Sequence, residues 1–131
     1  MTIQTVDRVD MAGRLRRWAR GLPAHEAAVE LLLRAWDGRL VHPSRPWIRL
    51  DDGCLWLDPD RFHPMPADLS EPEQRIVVIV DALASGRPIG HLADRLVELD
   101  RPTLRLVLAA FAHAGSRHTV RLAPLVSWSE P

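Results

Sequence analysis

Lysine, asparagine and tyrosine are absent from this chain of 131 residues, and cysteine occurs once, at Cys54. With lysine missing, all 17 basic side chains are arginines, a composition that a GC-rich bacterial genome produces and that points to no particular chemistry. A single cysteine excludes an intramolecular disulfide and any zinc site built from several thiolates. Net charge is lacking too: 17 acids balance the 17 arginines, so no global attraction draws the chain to nucleic acid or to an anionic membrane. No apolar run reaches the roughly 18 residues that a membrane span requires. Arginines stand near the start, where a signal peptide would place its apolar segment. The expectation is a cytoplasmic protein without a membrane span.

What is present is globular: 47% hydrophobic and 26% charged residues suffice for a core and argue against wholesale disorder. The pattern predicts one domain over residues 1–131, subdivided into helices plus a hairpin at 8–58 and a helical part at 70–122. The fold class is α+β, mainly α, with four to five helices packed around a central helix at about 101–114. One β-hairpin is expected at about 47–58 and a third short strand at about 118–122.

The helices announce themselves by caps and spacing. Val9, Met11, Leu15 and Trp18 recur at helical intervals over residues 8–20, with Arg14, Arg16, Arg17 and Arg20 on the remaining surface. Pro23 opens a second helix whose apolar stripe runs through Ala27, Leu31 and Ala35 to Trp36, and Gly38 closes it. On that helix Glu30 and Arg34 stand four apart in the favourable order. Ser70 and Glu73 form a capping box ahead of a third helix reaching Ser85. Its run Ile76–Val80 is entirely β-branched, a strand signal by propensity, but the caps fix helix ends on both sides and helix is preferred. A short fourth helix is expected at 89–98. Asp100 then caps the helix at 101–114, with Pro102 in its first turn and Gly115 as a left-handed terminator. That helix is so apolar that burial is expected along it, Leu108 and Phe111 included.

Between the second and third helices, WIRLDDGCLWLD alternates as two strands around Asp52-Gly53, a two-residue turn whose central positions need positive φ. The register pairs Leu50 with Leu55 and Ile48 with Leu57, placing four aliphatic side chains on one face. Trp47, Arg49, Asp51, Cys54, Trp56 and Asp58 fall on the other, with Arg49 set to stack on Trp56. That face is either covered by helices, as the average tendency of tryptophan favours, or exposed, in which case Trp47, Arg49 and Trp56 form the candidate interaction surface, since aromatic-plus-arginine patches mark interfaces.

Residues 70–122, with three helices, the tight turn LDRPT and a following strand, resemble a winged helix-turn-helix. That resemblance implies DNA binding, with Arg14, Arg16, Arg17, Arg101 and Arg105 as the candidate contacts. The helix that would enter the groove offers only Arg101, Thr103, Arg105 and His113 as polar groups, so nucleic acid is not the favoured partner. IVVIVDALASG resembles the ribose-phosphate segment of phosphoribosyltransferases, but one acid, Asp81, stands where those enzymes pair two, and SGRP supplies too few amides. Finally, AVELLLRA at Ala28–Ala35, PWIRLDDG, LSEPEQRIVV and LVLAAFAHAGS together resemble a group of small uncharacterised proteins of high-GC bacteria, a likeness that implies no activity.

Histidines and Cys54 show no compact ligand spacing, and no nucleophile elbow or glycine-rich phosphate loop is present. No catalytic residue, cofactor or metal ligand is nominated. The expected function is a non-enzymatic protein–protein interaction or regulatory role, with a protein partner or self-association as a homodimer. The alternatives are a winged-helix-like DNA-binding regulator and a small enzyme or metal-binding protein.

Overall fold

The computed structural model describes residues 8–115. The expected strand at 118–122, His118 and Trp128 lie outside them. Within them are α1 (Arg8–Ala19), α2 (Pro23–Arg34), a hairpin of β1 (Ile48–Asp51) and β2 (Cys54–Leu57), α3 (Glu71–Ser85), α4 (Leu92–Leu96) and α5 (Arg101–Ala114). The architecture is mainly helical α+β, with one two-stranded antiparallel sheet among the described residues.

The helix on which the others converge is α2, which packs against α1, α3 and α5, and not the expected central helix at 101–114, which packs chiefly on α2. Its sequence suits that position. Ala27, Ala28, Val29, Leu31 and Leu32 are buried over more than half the circumference, and alanines let neighbouring helix backbones approach closely. By contrast α1 buries a single seam, Met11, Leu15 and Ala19, spaced by four so that it faces α2 and β2.

The residues of α3 settle the conflict between propensity and capping. Ser70 Oγ accepts from the Glu73 amide at 3.3 Å, and the Glu73 carboxylate accepts from the Ser70 amide at 2.8 Å. Gly86 ends the helix at φ 78°. Between these fixed ends Ile76, Val77, Ile79 and Val80 are buried, so the β-branched run is a helix surrounded by protein.

The hairpin has the expected register: Ile48 faces Leu57, Arg49 faces Trp56 and Leu50 faces Leu55. Asp52 and Gly53 take φ of 50° and 77°, as a tightly twisted two-residue turn requires. Ile48, Leu55 and Leu57 are buried, while Leu50 lies at the margin with 36% exposure.

Further expectations are corrected. The α2 stripe does not continue to Trp36, because the chain turns left-handed there: Trp36, Asp37 and Gly38 take φ of 47°, 55° and 78° in succession. The segment after the hairpin is not wholly extended, since Pro59–Phe62 forms one 3-10 turn capped by Asp58 and buries Phe62. Gly115 is right-handed at φ −80° rather than left-handed. Most consequentially, Leu108 is 43% exposed. The buried face of α5 runs through Thr103, Val107 and Ala110 toward α2, and Leu108 sits over 100° around the helix from Thr103 and Ala110.

Candidate functional site

Of the two readings of the hairpin face, Trp47 follows the covered one and Trp56 lies between them. Trp47 precedes β1 and is fully buried. Its indole N–H donates to the Leu40 carbonyl at 3.0 Å, and its ring lies 5.0 Å from that of Phe62. The 3-10 turn after β2 thus covers one end of a face that would otherwise be open. Arg49 does lie over Trp56, 5.9 Å from the ring centroid. Trp56 also donates to Asp51 at 3.1 Å, and Arg49 reaches Asp58 at 3.6 Å. What remains there is a small, partly exposed, internally paired cluster.

The five arginines considered for nucleic acid are not gathered on one face. Arg14 pairs with Asp10 at 3.1 Å and Arg16 with Glu30 at 2.6 Å. Arg17 is exposed on α1. Arg101 and Arg105 are exposed on the first half of α5, and α2 packs against both helices.

A cleft of about 480 Å³ opens where α1, α2 and the last turn of α5 meet. Ala19 and Val29 give it an apolar base, and Arg16, Arg20, Arg34 and His113 stand around it with Glu26 and Glu30. Glu30 is the hub. It accepts from Arg16 Nε at 2.6 Å and Nη2 at 3.1 Å, and from Arg34 Nε at 2.8 Å. The last of these is the pair legible from i, i+4 spacing. Burial pushes the Glu30 carboxyl up, but the hydrogen bonds from Arg16 and Arg34 outweigh it and hold the group below its ordinary range. Glu26 accepts from His113 Nε2 at 3.0 Å and from the Gly21 amide at 3.1 Å. Those two bonds, His113 first, likewise lower its pKa. His113, in the last turn of α5, is therefore a cross-link from α5 to the start of α2.

A second polar cluster joins three segments around the buried Asp81 of α3. Asp81 accepts from His63 Nε2 at 3.0 Å, Ser85 Oγ at 2.9 Å and Arg87 Nη1 at 2.8 Å. Arg87 extends the network to Asp60 at 2.6 Å and to the Pro59 carbonyl at 3.2 Å. The Asp60 hydrogen bond, with the nearby Asp81 charge, raises the Arg87 pKa. Ser85 donates to Asp81 directly and not to His63, so the three do not form the relay in which a histidine takes a hydroxyl proton. The cluster fastens the loop after the hairpin to the C-terminal end of α3. Residue spacing gave no sign of it, because His63 and Asp81 are 18 positions apart.

No group of three or more histidine, cysteine, aspartate or glutamate side chains able to hold a metal ion occurs among the described residues. His42, Cys54 and His63, which straddle the hairpin in sequence, are not brought into one. Among the described residues no helix is long and apolar enough to cross a membrane. Comparison with protein-family models, curated proteins and solved structures finds no match to this chain.

Proposed function

We propose that this protein is a non-enzymatic interaction or regulatory protein that works by self-association through the stretch carrying α4 and the outer side of α5. The observation behind this reading is the exposure of Leu92, Val97 and Leu108, at 43%, 55% and 43%, while among the described residues the other large apolar side chains, Leu22 and Leu50 apart, are at least partly covered. The same stretch presents Asp94 and Glu98 ahead of Arg101 and Arg105, all exposed. With the exposed Asp100 between them occupied in capping α5, acids ahead of arginines let each copy's carboxylates meet the other's guanidinium groups, which is what a two-fold interface between identical copies needs. The acids have only loosely held partners within the chain, His91 at 3.2 Å and Arg75 at 3.5 Å.

Light scattering at micromolar concentration is expected to report a dimer. Val97→Asp combined with Leu108→Asp is expected to return a monomer with unchanged helical circular dichroism. A strict monomer for the unmodified chain overturns the reading. A second reading, a winged-helix-like DNA-binding regulator, is supported by Arg101 and Arg105 standing one turn apart, exposed and in no ion pair among the described residues. It predicts retention on duplex DNA that weakens steeply with salt and is lost in Arg101→Ala with Arg105→Ala.

A further inference from the structure

We infer that the cleft between α1, α2 and the end of α5 is a binding site for the oxyanion group of a small organic acid, a carboxylate or a phosphate monoester. This site is separate from the proposed association surface. Its volume, about 480 Å³, falls within the roughly 300–1,000 Å³ range of small-molecule pockets. Three guanidinium groups line it against two carboxylates, so the lining carries at least one surplus positive charge.

The two glutamates would repel an anion if their oxygens faced it unpaired. They do not. Both Glu30 oxygens are taken by Arg16 and Arg34, and both Glu26 oxygens by His113 and the Gly21 amide. These bonds also fix the cations before a ligand arrives, which removes part of the ordering cost that binding otherwise meets. Arg16 spends Nε and Nη2 on Glu30 and keeps Nη1 to donate. Arg20, at the rim, is in no ion pair among the described residues, and its planar fork matches a carboxylate or phosphate edge. The surplus charge thus resides on the one arginine of the lining that no glutamate holds. Ala19 and Val29 below it suit the apolar body of such an acid.

The test is an NMR titration of the full chain at low ionic strength, once with inorganic phosphate and once with benzoate. Saturable shifts at Gly21 and His113 with either anion support the site, and the tighter of the two identifies the head group. Arg20→Gln is expected to weaken binding about tenfold, the usual scale for losing one charge-assisted pair. Arg17→Gln, one turn away and outside the cleft, is expected to leave it unchanged. Arg20 is exposed, so its substitution does not threaten folding. Absence of saturation with both anions at millimolar concentration overturns the proposal, as does binding that Arg20→Gln leaves intact.

Discussion

Leu31 and Leu108 are the same residue type on neighbouring helices, and they separate what a helical pattern shows from what it leaves open. Leu31 is fully buried on α2 and Leu108 is 43% exposed on α5. Leu31→Ala is expected to cost about 2–5 kcal/mol, the range for removing a packed leucine, whereas Leu108→Ala should cost less than about 1 kcal/mol in the monomer. Urea denaturation of both variants at low concentration checks the contrast, and equal losses would contradict the packing described. An apolar stripe tells which residues can be buried. Which of them are buried depends on where the partner helix lies, and α5 carries more apolar surface than α2 can cover. Trp47 shows the same limit on a strand: alternation placed it opposite the aliphatic face and left open whether that face is covered, because the 3-10 turn that covers it depends on Phe62, fifteen residues later.

At the scale of elements, most boundaries were legible because the signals that set them are local. Ser70 with Glu73, Asp100 with Thr103, and Asp52-Gly53 each act within four residues, and each forms the bond or backbone angle its sequence implies. Ser70→Ala is therefore expected to destabilise the chain by about 0.5–2 kcal/mol. The left-handed turn after α2 was not legible in the same way. Gly38 signals one left-handed residue, but nothing local announces Trp36 and Asp37 in that conformation, which costs roughly 1–2 kcal/mol per side chain. The surrounding packing must hold them there, since Trp36 packs against the core and its ring lies under Arg39 at 5.7 Å. Gly38→Ala, adding a third side chain to the strained turn, is expected to cost about 1–2 kcal/mol. Thermal melting that leaves its midpoint unchanged would count against the turn as described.

At the scale of the molecule, the cleft and the Asp81 cluster were out of reach of the sequence because their partners are distant along it. Arg16 meets Glu30 across 14 positions and His113 meets Glu26 across 87. Only the folded arrangement of α1, α2 and α5 makes those pairs. They have a consequence for stability against pH. Glu26, Glu30 and Asp100 all have native pKa values below their ordinary 4.5, 4.5 and 3.8. The native state therefore takes up protons less readily than the unfolded chain, and stability rises with pH in that window. The contribution is complete above the ordinary values and is lost as pH falls through the lowered native ones. Urea midpoints are expected to drop as pH is taken below about 4.5. Glu30→Gln, which cannot ionise, should show a shallower fall, and an unchanged slope would show that the Arg16–Glu30–Arg34 cluster does not act this way.

The shortness of α4 sets how the protein opens. No residue of Leu92–Leu96 is buried, and the helix is flanked by Gly90 and Glu98, both at positive φ. Two side-chain contacts, Arg95 to the Ile89 carbonyl at 3.0 Å and Asp94 to His91 at 3.2 Å, tie it back to the preceding loop. Little apolar surface is exposed when such a segment unravels, so it can open while the α1–α2–α3–α5 packing stays intact. Native-state hydrogen exchange of the chain at concentrations too low for association should find the α4 amides exchanging with a free energy far below that of α2. Limited trypsin digestion of the monomeric Val97→Asp, Leu108→Asp variant should cut first at Arg95 and leave two fragments that remain associated. Equal protection of α4 and α2 would mean that the helix opens only with the whole fold.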